Sequence, residues 1–116
     1  QIFFYLNNAN KGSIISDANG TAYNTTSDQR LKENIADADD AGNKIDAIQV
    51  RQFDWKVDGS HQDYGMVAQE LLEVAPEAVA RAETQEEMMG VDYSKLVPML
   101  VKEIQALRAR VADLES

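Results

Sequence analysis

The sequence predicts an α+β protein: a small mixed globular domain that follows a short β-fibre segment and ends in a long C-terminal helix forming a coiled coil. Three observations carry this expectation. Residues 1–26 alternate β-forming runs with Asn/Gly-rich turns. Residues 28–92 mix short helical and β-prone stretches around polar loops. Residues 93–116 repeat apolar side chains at spacings that alternate four and three.

In chain order, Ile2 to Leu6 are β-formers, and Asn7 to Gly12 is turn-rich. Ile14-Ile15 predicts a second strand, Asp17 to Gly20 a second turn, and Thr21 to Thr26 a third strand. Such short strands hold too little apolar area to fold alone. They read as the end of an intertwined or stacked β-fibre completed by neighbouring chains, against the plainer reading of a disordered leader. Next, Lys44 to Ile48 predicts a short helix with Ile45 and Ile48 on one face. Val50, Phe53 and Trp55 fall in a β-prone run that ends at Asp58-Gly59, and Trp55 with Phe53 is expected in the core. Tyr64 to Val67 is a short strand or a helix entry. Ala68 to Val74 has helical composition, which Pro76 ends. Ala78 to Ala80 and Met88 to Val91 are expected to pair as strands around the acidic loop 83–87.

The last segment has the clearest period. Val97, Ile104 and Val111 take the a positions, and Tyr93, Leu100, Leu107 and Leu114 the d positions, over about three heptads. Glu103 at g would face Arg108 at e of a parallel neighbour, and Arg110 would face Glu115. Asp92 or Ser94 can cap the start, and Pro98 lies in the first turns, where its missing N–H costs little. The competing reading is an amphipathic helix packed on its own domain. β-branched a with Leu at d nominally favours dimers, so the heptads alone do not indicate a trimer.

Composition removes several function classes. With no cysteine there is no disulfide framework and no thiolate metal site. A single histidine, His61, argues against a histidine-based metal site or triad, and no cofactor or metal is expected. The net charge of −9 opposes general nucleic-acid binding, which needs clustered Lys and Arg. No apolar run approaches the ~20 residues of a membrane-spanning helix, so neither nucleic acid nor membrane is an expected partner. Gln1 to Leu6 lacks the basic start of a signal peptide, and without an initiator Met the chain is expected to be a fragment of something longer.

Chemistry concentrates at the seam between the first two compositions, in Thr26-Ser27-Asp28-Gln29-Arg30-Leu31-Lys32. A serine hydroxyl is a poor nucleophile at neutral pH and needs a base. Lysine can serve once it is neutral, and Ser–Lys pairs are a known variant of the triad logic. Arg30 could lower the proton affinity of Lys32 or face a developing oxyanion. Asp28 could instead pair with Lys32 and keep it protonated, which would oppose catalysis. Spacing alone is weak, because a Ser and a Lys five residues apart are commonly an exposed hydroxyl and a solvated ammonium.

The wider pattern is more specific. Ser27 to Ile35, SDQRLKENI, resembles the signature of the peptidase S74 family, the C-terminal intramolecular chaperone domains of phage tailspikes, tail fibres and endosialidases. Phe53-Asp54-Trp55-Lys56, then Tyr64 to Leu71, then Val91 to Pro98 match the family pattern in the same order, so the resemblance runs from about Tyr23 to Leu114. It implies that residues 1–26 are the end of a fibre stalk and 27–116 the chaperone domain, with 93–116 its coiled-coil helix. It also implies a parallel homotrimer, in which two further copies join through Val97, Leu100, Ile104, Leu107, Val111 and Leu114 and set the register of the parent stalk. Ser27 and Lys32 match the family's catalytic dyad, with Arg30 and His61 as candidate supporting groups. Cleavage is then expected beside Ser27, at Thr26–Ser27 or Ser27–Asp28. The expected setting is a tail-fibre precursor made in the host bacterial cytoplasm, whose released domain is not retained in the virion.

Other readings stay open. One is a non-catalytic trimerisation or attachment module at a fibre tip. Another is a trimeric membrane-tethered transcription factor that borrows the same module, though the acidic balance and short stalk lean towards a fibre. Asp37, Asp39 and Asp40 before Gly42 hint at a calcium loop, but the twelfth position of such a loop is Ile48, so a solvated acidic loop is preferred. His61 in its polar turn defaults to a surface histidine, and Glu70 with Glu73 to a solvated helix face.

Overall fold

A computed structural model describes all of residues 1–116. The chain is mixed α and β, with three small sheets and a long C-terminal helix. It packs as two units, Gln1–Asp37 and Ala38–Ser116.

The first unit is an antiparallel three-stranded meander, β1 (Ile2–Leu6), β2 (Ala9–Asp17) and β3 (Gly20–Thr25), in that spatial order. Asn7 and Asn8 both have positive φ, 53° and 63°, as a two-residue primed hairpin turn demands and as Asn tolerates. The expected turn over Asn7–Gly12 is therefore only these two residues, and β2 already begins at Ala9. At the second turn Asp17 Oδ1 accepts from Asn19 N at 2.8 Å, a side-chain mimic of a backbone turn. The ladder is regular from Asp17↔Gly20 to Gly12↔Thr25. On the other side, Phe4 pairs with Gly12 but Tyr5 pairs with Asn10, so Lys11 is an extra, bulged residue of β2. Almost nothing is buried: Ser13 is the one buried residue here, and Ile2 to Leu6 stay about half exposed on both faces. Beyond β3, a single 3₁₀ turn at Gln29–Leu31 is capped by Asp28.

The second unit starts with α1 (Gly42–Ala47), followed by the hairpin of β4 (Arg51–Asp54) and β5 (His61–Gly65). Gly65 faces the Phe53 ring so closely that a Cβ there would lie 2.7 Å from it. Trp55 stacks edge-on against Phe53, with centroids 5.3 Å apart, yet remains half exposed. Trp55 is therefore not the core residue expected: the aromatic pair sits on the hairpin, away from the apolar centre. α2 (Ala68–Leu72) ends before Pro76, as its composition predicted. β6 (Val79–Ala80) and β7 (Gly90–Val91) pair antiparallel across the acidic loop. The core gathers Leu71, Ala75, Ala78, Val79 and Leu96, with Ile48, Met66, Met89 and Met99 packed around it.

Asp92 caps a 3₁₀ turn at Tyr93–Leu96, accepting from Ser94 N at 3.1 Å and from Ser94 Oγ at 2.6 Å. This turn leads directly into α3 (Val97–Glu115), with Pro98 in its first turn. One face of this helix packs on its own domain, as the competing reading expected, and the heptad face stays uncovered. Met99, Lys102, Glu103 and Ala106 are partly covered and form the side that meets α1. Val97, Leu100, Ile104, Leu107, Val111 and Leu114 form the opposite stripe, between 47% and 86% exposed. Glu103 leans inward: its carboxylate packs against Gly42, and Oε2 is buried without a hydrogen-bond partner. In a single chain Glu103 therefore does not present the outward charge that its g position predicted.

Candidate functional site

The predicted site residues lie where the chain leaves the first sheet. Thr26 continues the ladder one step past β3, its N–H donating to the Lys11 carbonyl at 3.2 Å. Its hydroxyl donates to the Asn10 carbonyl at 2.8 Å. Ser27 then emerges into solvent. Asp28 closes the 3₁₀ turn by accepting from Arg30 N at 2.9 Å, and the turn sends the chain back, with Lys32 N donating to the Gln29 carbonyl at 3.0 Å. That reversal carries Lys32 Nζ to 2.5 Å from Ser27 Oγ, to which it donates. Asn34 follows with φ of 55°, a left-handed conformation that Asn accepts better than most side chains.

Asp28 does not compete for Lys32. Its carboxylate is forked by the Arg30 guanidinium, Oδ1 to Nε at 3.1 Å and Oδ2 to the terminal nitrogen at 3.0 Å. The Arg30 side chain, then its backbone N–H, hold the Asp28 carboxyl below the usual carboxylate range. The same pairing raises the Arg30 guanidinium above its ordinary value. Arg30 is thus committed to Asp28, and in the single chain it is not a free cation for Lys32 or for an oxyanion. Ser27 and Lys32 are both exposed, so nothing within one chain excludes water from them.

His61 belongs to the second unit, at the start of β5. Nδ1 lies 2.7 Å from Asp54 Oδ1, and Nε2 lies 3.1 Å from both Gln52 Oε1 and Asp63 Oδ1. It is a histidine held among the polar groups of its own hairpin. Glu70, weighed with Glu73 as a carboxylate pair, instead takes a bidentate ion pair from Arg51, at 3.1 and 2.8 Å. The Arg51 side-chain hydrogen bonds hold the Glu70 carboxyl below its ordinary value. Sequence reasoning overlooked Arg51, and it overlooked Asn10 and Lys11, which act on Thr26 through main-chain oxygens that no side-chain motif marks.

Fold and site define a class in outline: an under-buried α+β chain, with an unpartnered heptad stripe and a hydroxyl–amine contact where a β-meander ends. Comparison with known proteins narrows the class. Residues 27–80 match the family model Peptidase_S74, described as chaperone of endosialidase. The chain is also similar to the long tail fiber protein Gp37 of Enterobacteria phage K3, 31% identical over 97% of this chain and 10% of the relative. Gp37 of Enterobacteria phage T2 is likewise 31% identical, over the whole of this chain and 9% of the relative. The chain thus spans about a tenth of the length of the curated relatives it matches.

Proposed function

We propose that this chain is a self-cleaving intramolecular chaperone of a phage tail fibre. Residues 27–116 bring three copies together, set the register of the stalk ending at residues 1–26, and are then released by cleavage beside Ser27. The observation that carries this reading is the Ser27–Lys32 contact at 2.5 Å, on a segment matching a family named as a peptidase and described as a chaperone. The apolar stripe of α3 supports the assembly step, since six large side chains at heptad spacing stand uncovered.

Only a neutral amine can act as base. Packing of neighbouring copies around the segment would remove water and favour the neutral form. The Lys32–Ser27 contact then reverses its direction, and the hydroxyl donates to the amine. Ser27 Oγ attacks the Thr26 carbonyl carbon through a five-membered ring while Lys32 takes the hydroxyl proton. The C–N bond breaks, and Lys32 returns that proton to the departing Ser27 nitrogen. The resulting ester joins Thr26 to Ser27 Oγ, and water hydrolyses it to a Thr26 carboxylate and the free hydroxyl. Cleavage of the next bond, Ser27–Asp28, needs a water nucleophile or a serine from another copy, because attack of Ser27 on its own carbonyl closes a strained four-membered ring. We favour Thr26–Ser27 on ring size.

Release would trap the assembled fibre kinetically, because the element able to reverse association has gone. Register has to be set early, since an intertwined β-stalk makes many contacts between distant segments and a one-residue slip inverts every side chain.

The second reading, a non-catalytic attachment module, is favoured by one observation: Ser27 and Lys32 are exposed in the single chain. A gel of boiled, freshly folded protein separates the two. Self-cleavage gives two fragments for the native chain, and one uncut band for Ser27→Ala, which still assembles. Lys32→Ala is uncut at neutral pH. Normal processing of Ser27→Ala would reassign the nucleophile. N-terminal sequencing then locates the bond: a fragment starting at Ser27 fits the acyl shift, and one starting at Asp28 rules it out.

A further inference from the structure

We infer that Thr26 is a positioning residue for the cut, clamped by the Asn10 and Lys11 carbonyls, so that the backbone beside Ser27 is aligned only when β3 has zipped onto β2 to its last rung. This rests on the reading that the chain is cut beside Ser27, and it holds for either bond there.

Thr26 makes two contacts with consecutive residues of β2, its N–H to Lys11 O at 3.2 Å and its hydroxyl to Asn10 O at 2.8 Å. In a regular strand successive carbonyls point to opposite edges, so both seldom serve one residue of a neighbour. The bulge at Lys11 supplies the exception. Phe4 pairs with Gly12 and Tyr5 with Asn10, leaving Lys11 without a partner on β1. Bulges bend a strand and re-aim its groups. The Asn10 side chain folds over the same spot, its Oδ1 accepting from Gly12 N at 2.9 Å. Gly12 lets the strands close here, because a Cβ would lie 2.6 Å from the Asn24 carbonyl oxygen.

The clamp lies one residue before the nucleophile. On the other side, Asp28 anchors the turn that returns Lys32. Ser27 is thus strung between two fixed points, Thr26 on the strand and Asp28 on the turn, and is itself free of the sheet. Misalignment of reacting groups by about 1 Å can cost about a hundredfold in rate. A stalk hairpin slipped by one residue would move the Asn10 and Lys11 carbonyls away from Thr26, and cleavage would stall. The cut then reports that the end of the stalk has paired in register.

The test compares first-order cleavage rates of refolding full-length chains, with trimer content followed by light scattering in the same samples. Thr26→Val keeps the strand-forming shape and removes the hydroxyl, whereas Thr26→Ser keeps the hydroxyl. Per assembled trimer, Thr26→Val is expected to cleave about 10–100 times more slowly than the native chain, and Thr26→Ser to restore most of that loss. Gly12→Ala, which pushes β2 and β3 apart without touching Thr26, is expected to slow cleavage as well. Native-like rates for Thr26→Val, or equal slowing of Thr26→Ser and Thr26→Val, would overturn the clamp. A native chain that never cleaves would instead overturn the proposed function, so the two failures are distinguishable.

Discussion

The two units of the chain are both under-buried, but in different ways. In Gln1–Asp37, order comes from main-chain ladders and tight Asn and Asp turns, while the aromatic and aliphatic side chains of β1 remain exposed on both faces. In Ala38–Ser116, Leu71, Ala75, Ala78, Val79 and Leu96 form an apolar centre, and exposure is organised as one stripe along α3. The second unit therefore owns a core and one organised apolar surface. The first has correct hydrogen bonding but no core, and its burial has to come from elsewhere. Under the proposed function, the second unit would bring the copies together and the first would be completed by that assembly.

The largest effect should come from spoiling the stripe. Replacing both Leu100 and Leu107 by Asp places a charge at two d positions in every helix. Sedimentation is expected to show loss of the trimer, and the boiled gel loss of cleavage with it. Retained cleavage in a monomeric double variant would separate the dyad from assembly. Truncations sharpen the contrast between units. Leu71→Ala, at a site only 3% exposed, should cost about 2–5 kcal/mol in denaturant unfolding. Phe4→Ala, at a site 52% exposed, should change the dissociated chain by less than about 1 kcal/mol. It should cost clearly more in the proposed trimer if neighbouring copies cover the ring. Equal costs in both states would mean that the sheet gains no burial from its neighbours.

The smallest effect concerns the exposed Arg51–Glu70 pair, which ties the hairpin to α2. Because the Glu70 carboxyl is held below its ordinary value, the folded state gains stability above that value, about 4.3, and loses it as pH falls through the depressed folded value. Thermal melts of the native chain and Arg51→Gln should differ modestly at pH 7 and converge in acid. A gap that persists at low pH would show that Arg51 contributes through packing of its stem instead.

Much of the local structure was legible because its causes are local. Paired asparagines made the first hairpin turn, the heptad spacing marked α3, Pro76 ended α2, and Asp92 capped the turn before the long helix. The pairing of Ala78–Ala80 with Met88–Val91 followed from two apolar runs flanking a polar loop. Legibility failed where a partner lies far along the chain or is a main-chain atom. Arg51 finds Glu70 nineteen residues away. Glu103 turns inward because Gly42 leaves room for a carboxylate. Trp55 stayed out of the core because its partner Phe53 lies on a hairpin that is itself at the surface. Ser27 and Lys32 were singled out by the family pattern around them, since their spacing alone is weak. Their setting was not, since Asn10 and Lys11 act through carbonyl oxygens and a bulge that composition does not encode. Commitment of Arg30 to Asp28 likewise depends on the 3₁₀ turn that brings the two side chains together.

The most direct measurement is the intact mass of the native chain before and after refolding into trimers, with Ser27→Ala in parallel. Self-cleavage predicts two fragments whose masses sum to that of the chain plus one water, dividing it beside Ser27, and an undivided Ser27→Ala. Native trimers that retain a single undivided chain would contradict it.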